Sequence, residues 1–188
     1  NSYTATLTTL PFAKSECDLT NFHQVSKVFL KHTPDVVINA AAYTAVDAAE
    51  EHAELADLLN HKAVSHLAKL CYEFDSVLIH ISTDYVFDGL GNTPYLENAP
   101  TAPQGVYGAT KLLGEQAVAA SECKHIIIRS AWIFSEHGGN FLKTMLRLSC
   151  EREHISVVDD QLGTPTYAQD LARAVVATLP YIDSNSCP

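Results

Sequence analysis

The feature that most constrains this chain is a serial alternation of two hydrophobic periods. DVVINAAA (35–42), SVLIHIS (76–82) and HIIIRSAWIF (125–134) are short, β-branched and almost continuously apolar. Such runs suit parallel strands buried on both faces, where no polar alternation is needed. Helix-period segments separate them. Residues 20–32 put Phe22, Val25, Val28 and Phe29 on one face, with Thr20 in the N-cap position. Residues 45–74 form a long alanine-rich helical stretch, 107–121 a third helix and 140–152 an amphipathic one. A last helix is expected over 167–179, capped by Thr166 and stopped by Pro180. Strand and helix in strict series predict βαβ units, hence an α/β fold with a Rossmann-like doubly wound parallel sheet flanked by helices.

Composition narrows the partners. With 47% hydrophobic and 18% charged residues, 188 residues suffice for one domain with a packed core. The formal net charge of −10 and the lack of any Lys/Arg cluster argue against nucleic acid and anionic membrane, which need a concentrated basic face. No apolar run approaches the roughly 20 residues of a membrane span, and no secretory signal is visible. The five cysteines are scattered, with no CxxC pair, which points to a reduced, cytoplasmic chain. The nine histidines show neither HExxH nor HxH spacing, so no metal site is expected.

In open α/β sheets ligands bind at the carboxyl ends of the strands. Those ends carry Ala40, Ala41, Ala42, Tyr43 and Thr44, then Ser82, Thr83, Asp84 and Tyr85, then Ser130, Ala131 and Trp132. Small residues there admit a flat ligand, though tight helix–sheet packing would explain the alanines equally. The segment 84–105 is the longest loop, and loops of that length tend to be functional. Within VYGATKLLGE, Tyr107 and Lys111 lie one helical turn apart on one face. Eight tyrosines and eight lysines in 188 residues give about 0.3 such pairs by chance, so the pair alone is weak. A phenol beside an ammonium has its pKa lowered and can deliver a proton to a carbonyl oxygen, with a hydroxyl such as Thr83 holding the same oxygen. A strand-end hydroxyl bonding its neighbours explains Thr83 too, and a core aromatic explains Trp132.

Several longer stretches decide between these readings. PDVVINAAAYTAVDAAE (34–50), ISTDYVFDG (81–89), VYGATKLLGE (106–115), RSAWIF (129–134), NFLKTML (140–146) and VVDDQLGTPTYAQDLA (157–172) occur in one order. Together they resemble the extended short-chain dehydrogenase/reductase superfamily and, within it, the dTDP-4-dehydrorhamnose reductase (RmlD-like) family, over nearly all of 18–180. The resemblance implies an NAD(P)-dependent oxidoreductase of dTDP-rhamnose biosynthesis, with NADP(H) favoured, NAD(H) as the alternative and a nucleotide-sugar substrate. It implies that Thr83, Tyr107 and Lys111 are catalytic, Tyr107 as general acid toward the C4 ketone of the sugar, and Lys111 lowering its pKa and holding the nicotinamide ribose. Asp18 and Leu19 would lie beside adenine, with Ala40, Ala41 and Ala42 under the cofactor and Thr44 near nicotinamide or sugar. Val46, Tyr85 and Trp132 would line the deoxysugar pocket, and Asn140 and Gln161 would face the nucleotide. A homodimer is compatible with the resemblance.

The family's first strand and its GxxGxxG loop have no counterpart in the 188 residues, and Gly105 stands where relatives often carry a larger polar residue. The expectation is a single partial NAD(P)-binding domain over 1–188, truncated at both ends, with substrate-binding segments within 84–105 and 132–166. Two rivals stay open at this stage: a non-catalytic NADP-binding regulatory subunit like that of methionine adenosyltransferase, and another sugar-nucleotide reductase or epimerase of the extended group.

Overall fold

The computed structural model describes residues 7–182. The elements run α1 (Phe22–His32), β1 (Val36–Asn39), α2 (Val46–Glu51), α3 (Ala53–Asp57), a π-helical turn (Leu58–Lys62), α4 (Ala63–Glu73) and β2 (Val77–Thr83). A 3-10 turn (Asp84–Val86) follows, then α5 (Val106–Ala120), β3 (His125–Ser130), β4 (Ile133–Phe134), α6 (Phe141–Glu151), β5 (Thr166–Tyr167) and α7 (Ala168–Ile182). Strands β1, β2 and β3 form a parallel sheet in that order, with Ile38 beside Ile79 and Thr83 beside Ser130. Strands β4 and β5 form a separate parallel pair.

The three apolar runs became the three sheet strands. Burial on both faces holds for central β2, whose residues are buried except Ile81. It does not hold for its neighbours: Ile38 is 48% exposed and every residue of β3 is half-buried, because both are edge strands in this sheet. Residues of one parity on β2 share a face. Leu78 joins Val25 and Phe29 of α1, Val64, Leu67 and Cys71 of α4, and Val118 of α5 in one apolar cluster. His80 and Ser82, two and four residues on, face α5 as well.

Four local expectations are corrected. The N-cap of α1 is Asn21, whose side chain accepts from the Gln24 N–H, while the Thr20 hydroxyl donates to Asp18. The stretch 45–74 is interrupted twice, at His52 (φ −119°, ψ 42°) and by the π turn. Thr166 lies in β5 rather than capping α7, and α7 runs through Pro180 to Ile182. Proline there removes a hydrogen-bond donor only from the closing turn, where little helix remains to disrupt. Residues 131–134 leave the sheet as β4, and Trp132 takes a left-handed backbone (φ 47°) at the turn.

Among the described residues no helix is long and apolar enough to cross a membrane, and no group of His, Cys, Asp or Glu could hold a metal ion. Cys17, Cys71, Cys123 and Cys150 are free thiols.

Candidate active site

Strand β2 delivers Thr83 to its carboxyl end, and the chain turns at once into the 3-10 turn that carries Tyr85. The Thr83 hydroxyl caps this turn by accepting from the Tyr85 N–H at 3.2 Å. It donates to Asp84 Oδ1, also at 3.2 Å. Helix α5 then brings Tyr107 back against this turn. Its hydroxyl comes near enough to the Thr83 side chain for the two to interact, and its ring meets Tyr85 edge-on, centroids 5.5 Å apart at 73°. Thr83, Tyr85 and Tyr107 are therefore one group of side chains, although 24 residues separate the outer two.

The closeness depends on Gly108. A β-carbon there would lie 2.2 Å from the Tyr85 carbonyl oxygen, a backbone atom with no freedom to retreat. Gly114 allows a similar approach of α5 to the π turn, 2.2 Å from the Asn60 carbonyl. The first N–H of α5 is satisfied from far along the chain: Glu50 Oε1 accepts from Val106 N at 2.8 Å, and a β-carbon at Gly105 would lie 2.9 Å from that oxygen. The carboxylate stands in for an N-cap side chain and complements the helix dipole.

Lys111, 2% exposed, occupies the next turn. Its Nζ donates to Ile81 O at 2.7 Å and sits 3.4 Å from His80 Nε2. Burial, opposed by Glu115, pulls its pKa down to about 8. Tyr107 behaves differently from expectation. Its phenol is pushed above the ordinary value, by burial first and by Asp84 and Tyr85 as well, against a lowering from the Thr83 side chain. The ammonium that was to lower it is engaged elsewhere, on Ile81 and His80. A phenol held up in this way keeps its proton at neutral pH and is an acid in reserve.

The loop after β1 presents Ala40, Ala41 and Thr44 to solvent and Ala42 half-buried, and Val46 opens α2. This loop is clamped to α5 through Asn60, whose side chain is fully buried. Asn60 Oδ1 accepts from Tyr43 N at 2.8 Å, and Nδ2 donates to Tyr43 O at 3.1 Å and to Thr110 Oγ1 at 3.2 Å. Glu115, also buried, accepts a hydrogen bond from Ser82 and is held by the Arg129 guanidinium through both oxygens, at 2.7–3.2 Å. The same guanidinium donates to Glu97 O at 3.0 Å and lies 4.9 Å over the Phe87 ring, pinning the loop 84–105 to the sheet. Phe87 stacks on Tyr95 at 4.4 Å within that loop.

The other predicted residues lie elsewhere. Asp18 Oδ1 accepts from Thr20 N and Oγ1, which holds its carboxyl below the usual range, and Leu19 packs against the apolar cluster. Trp132 is 42% exposed, so it is not a core aromatic, and a β-carbon at Gly163 would lie 2.8 Å from its indole. That contact joins Trp132 to the exposed segment containing Gln161. Asn140 caps α6, accepting from Lys143 N and donating to Ser135 O.

Sequence reasoning missed Asn39, Glu50, Asn60, His80, Glu115 and Arg129. A usable signal existed for some. Asn39 and His80 are polar residues inside apolar strands, and Glu115 lies one turn beyond Lys111 on the same helical face.

Comparison with known proteins gives consistent findings. The family model of the RmlD substrate binding domain matches residues 3–186. A dTDP-4-dehydrorhamnose reductase of Burkholderia thailandensis is 47% identical over 163 residues, 87% of this chain and 55% of that protein. One of Shigella flexneri is 50% identical over 155 residues, 82% of this chain and 52% of its own length. The chain thus spans about half the length of these curated relatives. A crystal structure of dTDP-4-dehydrorhamnose reductase from Bacillus anthracis, in complex with NADP, superposes with a TM-score of 0.89 at 41% identity, covering 93% of this chain and 62% of that one.

Proposed function

This chain belongs to the RmlD substrate binding domain family, and from that premise we propose that it carries the reductase centre of an NADPH-dependent enzyme that converts the C4 ketone of a dTDP-4-keto-6-deoxysugar to an alcohol. In this reading dTDP-4-dehydrorhamnose becomes dTDP-L-rhamnose. The observation that carries the reading is the convergence of Thr83, Tyr85 and Tyr107 at the carboxyl end of β2, with the Tyr107 ring on Tyr85, its hydroxyl under the influence of Thr83, and Lys111 one turn further along α5.

The residues present fit a nicotinamide cofactor. Ala40 and Ala41 leave an exposed strand end without bulky side chains, and the Ser130 hydroxyl at the end of β3 is buried without a hydrogen-bond partner, in register beside Thr83. Ala40, Ala41, Ala42 and Thr44 would hold the cofactor together with Lys111; Asp18 and Leu19 are assigned to its adenine end. NADPH is favoured, with NADH as the alternative; the cofactor, when bound, supplies the hydride. The chain's own part is proton delivery and orientation. Thr83 holds the substrate oxygen, Tyr107 gives it the proton that burial keeps on the phenol, and Lys111 supports the developing phenolate. Tyr85, Val46 and Trp132 are assigned to the deoxysugar, Asn140 and Gln161 to the nucleotide. Residues 1–188 are read as one cofactor-binding domain, with substrate segments within 84–105 and 132–166. Free thiols and a nucleotide-sugar substrate suit the cytoplasm.

The test is Tyr107→Phe in the intact protein. It removes the proton and keeps the ring, so kcat should fall by ~10²-fold or more with NADPH affinity little changed. A kcat within a few-fold of wild type would sink the proposal and favour a binding role for this fold.

A further inference from the structure

Beneath the site, behind Lys111, runs a chain of buried polar groups, of which Asn39 and His80 have no part in the reductase reading. Asn39, His80 and Lys111 are 4%, 0% and 2% exposed. The Ala41 N–H donates to Asn39 Oδ1 at 3.2 Å, which fixes the orientation of the amide. Asn39 Nδ2 therefore points its hydrogens at His80 Nδ1, 3.1 Å away. A neutral imidazole has one donor and one acceptor nitrogen, so if Nδ1 accepts, Nε2 carries the hydrogen. That Nε2–H faces Lys111 Nζ at 3.4 Å, while Nζ donates to Ile81 O. An ammonium has only hydrogens to offer and would oppose N–H to N–H. A neutral amine presents a lone pair and completes the chain.

We propose that Asn39 and His80 are positioning residues for Lys111: Asn39 locks His80 as the Nε2–H tautomer, and that N–H decides whether the lysine nitrogen keeps its third proton. The inference rests on the catalytic reading only for its consequence in turnover; the tautomer and the lysine's titration are properties of the fold. Burial acts in the same direction: with the Lys111 charge beside it, it holds His80 neutral down to about pH 3, and it lowers Lys111 to about 8. The ionisable groups acting on Lys111 are His80 from β2, which presents a donor, and Glu115 from α5, which favours the charged form. With burial as the first influence the amine titrates near 8, which brings the neutral form within reach just above neutral pH. An acceptor brought to Nζ by a bound ligand tips it back toward the ammonium.

Nuclear magnetic resonance on the intact protein tests this without reference to activity. In ¹⁵N-histidine-labelled protein, His80 should show a protonated Nε2 and an unprotonated Nδ1 at neutral pH. Asn39→Asp offers only acceptors, so the proton should move to Nδ1. Nε2 then presents a lone pair to Lys111, whose titration, followed at its ¹³Cε, should rise by about one unit or more. Asn39→Ala frees the tautomer without adding charge, and the Lys111 titration should move the same way by a smaller amount. A wild-type His80 protonated on Nδ1 would overturn the proposal, as would a Lys111 titration unmoved in both folded variants. Should both variants fail to fold, the wild-type tautomer alone decides. Loss of turnover in Tyr107→Phe bears on the reductase reading and leaves this assignment untouched.

Discussion

Replacing Asn60 with alanine should be strongly destabilising. The amide makes three hydrogen bonds, two to the backbone of Tyr43 and one to Thr110, from a position with no solvent access. Each such bond contributes about 1 kcal/mol net, and a buried donor left without a partner costs about 1–3 kcal/mol. Alanine removes all three bonds, about 3 kcal/mol together, and strands the N–H of half-buried Tyr43 at the low end of that range, so the loss should be about 4 kcal/mol. For a domain with a total stability of roughly 5–15 kcal/mol that is a large share. Urea unfolding of the intact protein, followed by circular dichroism, reads it directly. Thr110→Val deletes the third bond together with the bond that the Thr110 hydroxyl donates to Tyr107 O, and should cost about 2 kcal/mol. Because the two residues share that bond, the double variant should lose less than the sum of the singles. An Asn60→Ala loss below about 1 kcal/mol, or strict additivity with Thr110→Val, would refute the claim that this amide clamps the loop after β1 to α5.

Gly108→Ala should lower both stability and turnover. The added carbon meets the Tyr85 backbone carbonyl at 2.2 Å, so α5 must shift, at a cost of about 1–3 kcal/mol, and Tyr107 moves with it. A thermal melt and a kcat measurement check this, and near-wild-type values in both would contradict the geometry. Acid sensitivity should trace partly to His80. Its folded pKa, about 3, lies below the unfolded 6.5, so the unfolded chain binds the proton first and stability falls as pH drops through that window. Between pH 7 and 4.5 the loss from this group is about 2–3 kcal/mol at ~1.4 kcal/mol per pKa unit. In His80→Gln that part of the decline should vanish from urea midpoints taken at the two pH values.

The strands were readable because β-branched runs leave few alternatives. Thr83 and Tyr107 were readable for a related reason: one ends a strand, the other starts the next helix, and a parallel sheet brings those two points to the same edge. What stayed hidden was contact order. Asn60 meets partners 17 and 50 residues away, Glu50 caps a helix 56 residues on, and His80 meets Lys111 across 31. No local pattern encodes such partners. The reach of Lys111 was hidden for the same reason. Spacing put it on the Tyr107 face of the helix, but its length lets the amine reach β2, where a carbonyl and an imidazole compete for it. The cap of α1 was misplaced by one residue because Thr20 and Asn21 are both good capping types, and Asp18 had already taken the threonine.

The π turn at Leu58–Lys62 amounts to one residue more than an α-helix would use, and this makes it a register device. Excising that residue would give a longer and more regular helix. It would also rotate the segments on its two sides by about 100° relative to one another. Either Leu67 and Cys71 would keep their places in the core while the residue-60 amide swung away from Tyr43, or the amide would stay and the core face would turn outward. Helical regularity and the clamp are thus alternatives at this point in the chain. A lineage that loses the extra residue should be recognisable by the simultaneous loss of a hydrogen-bonding side chain at the position of Asn60.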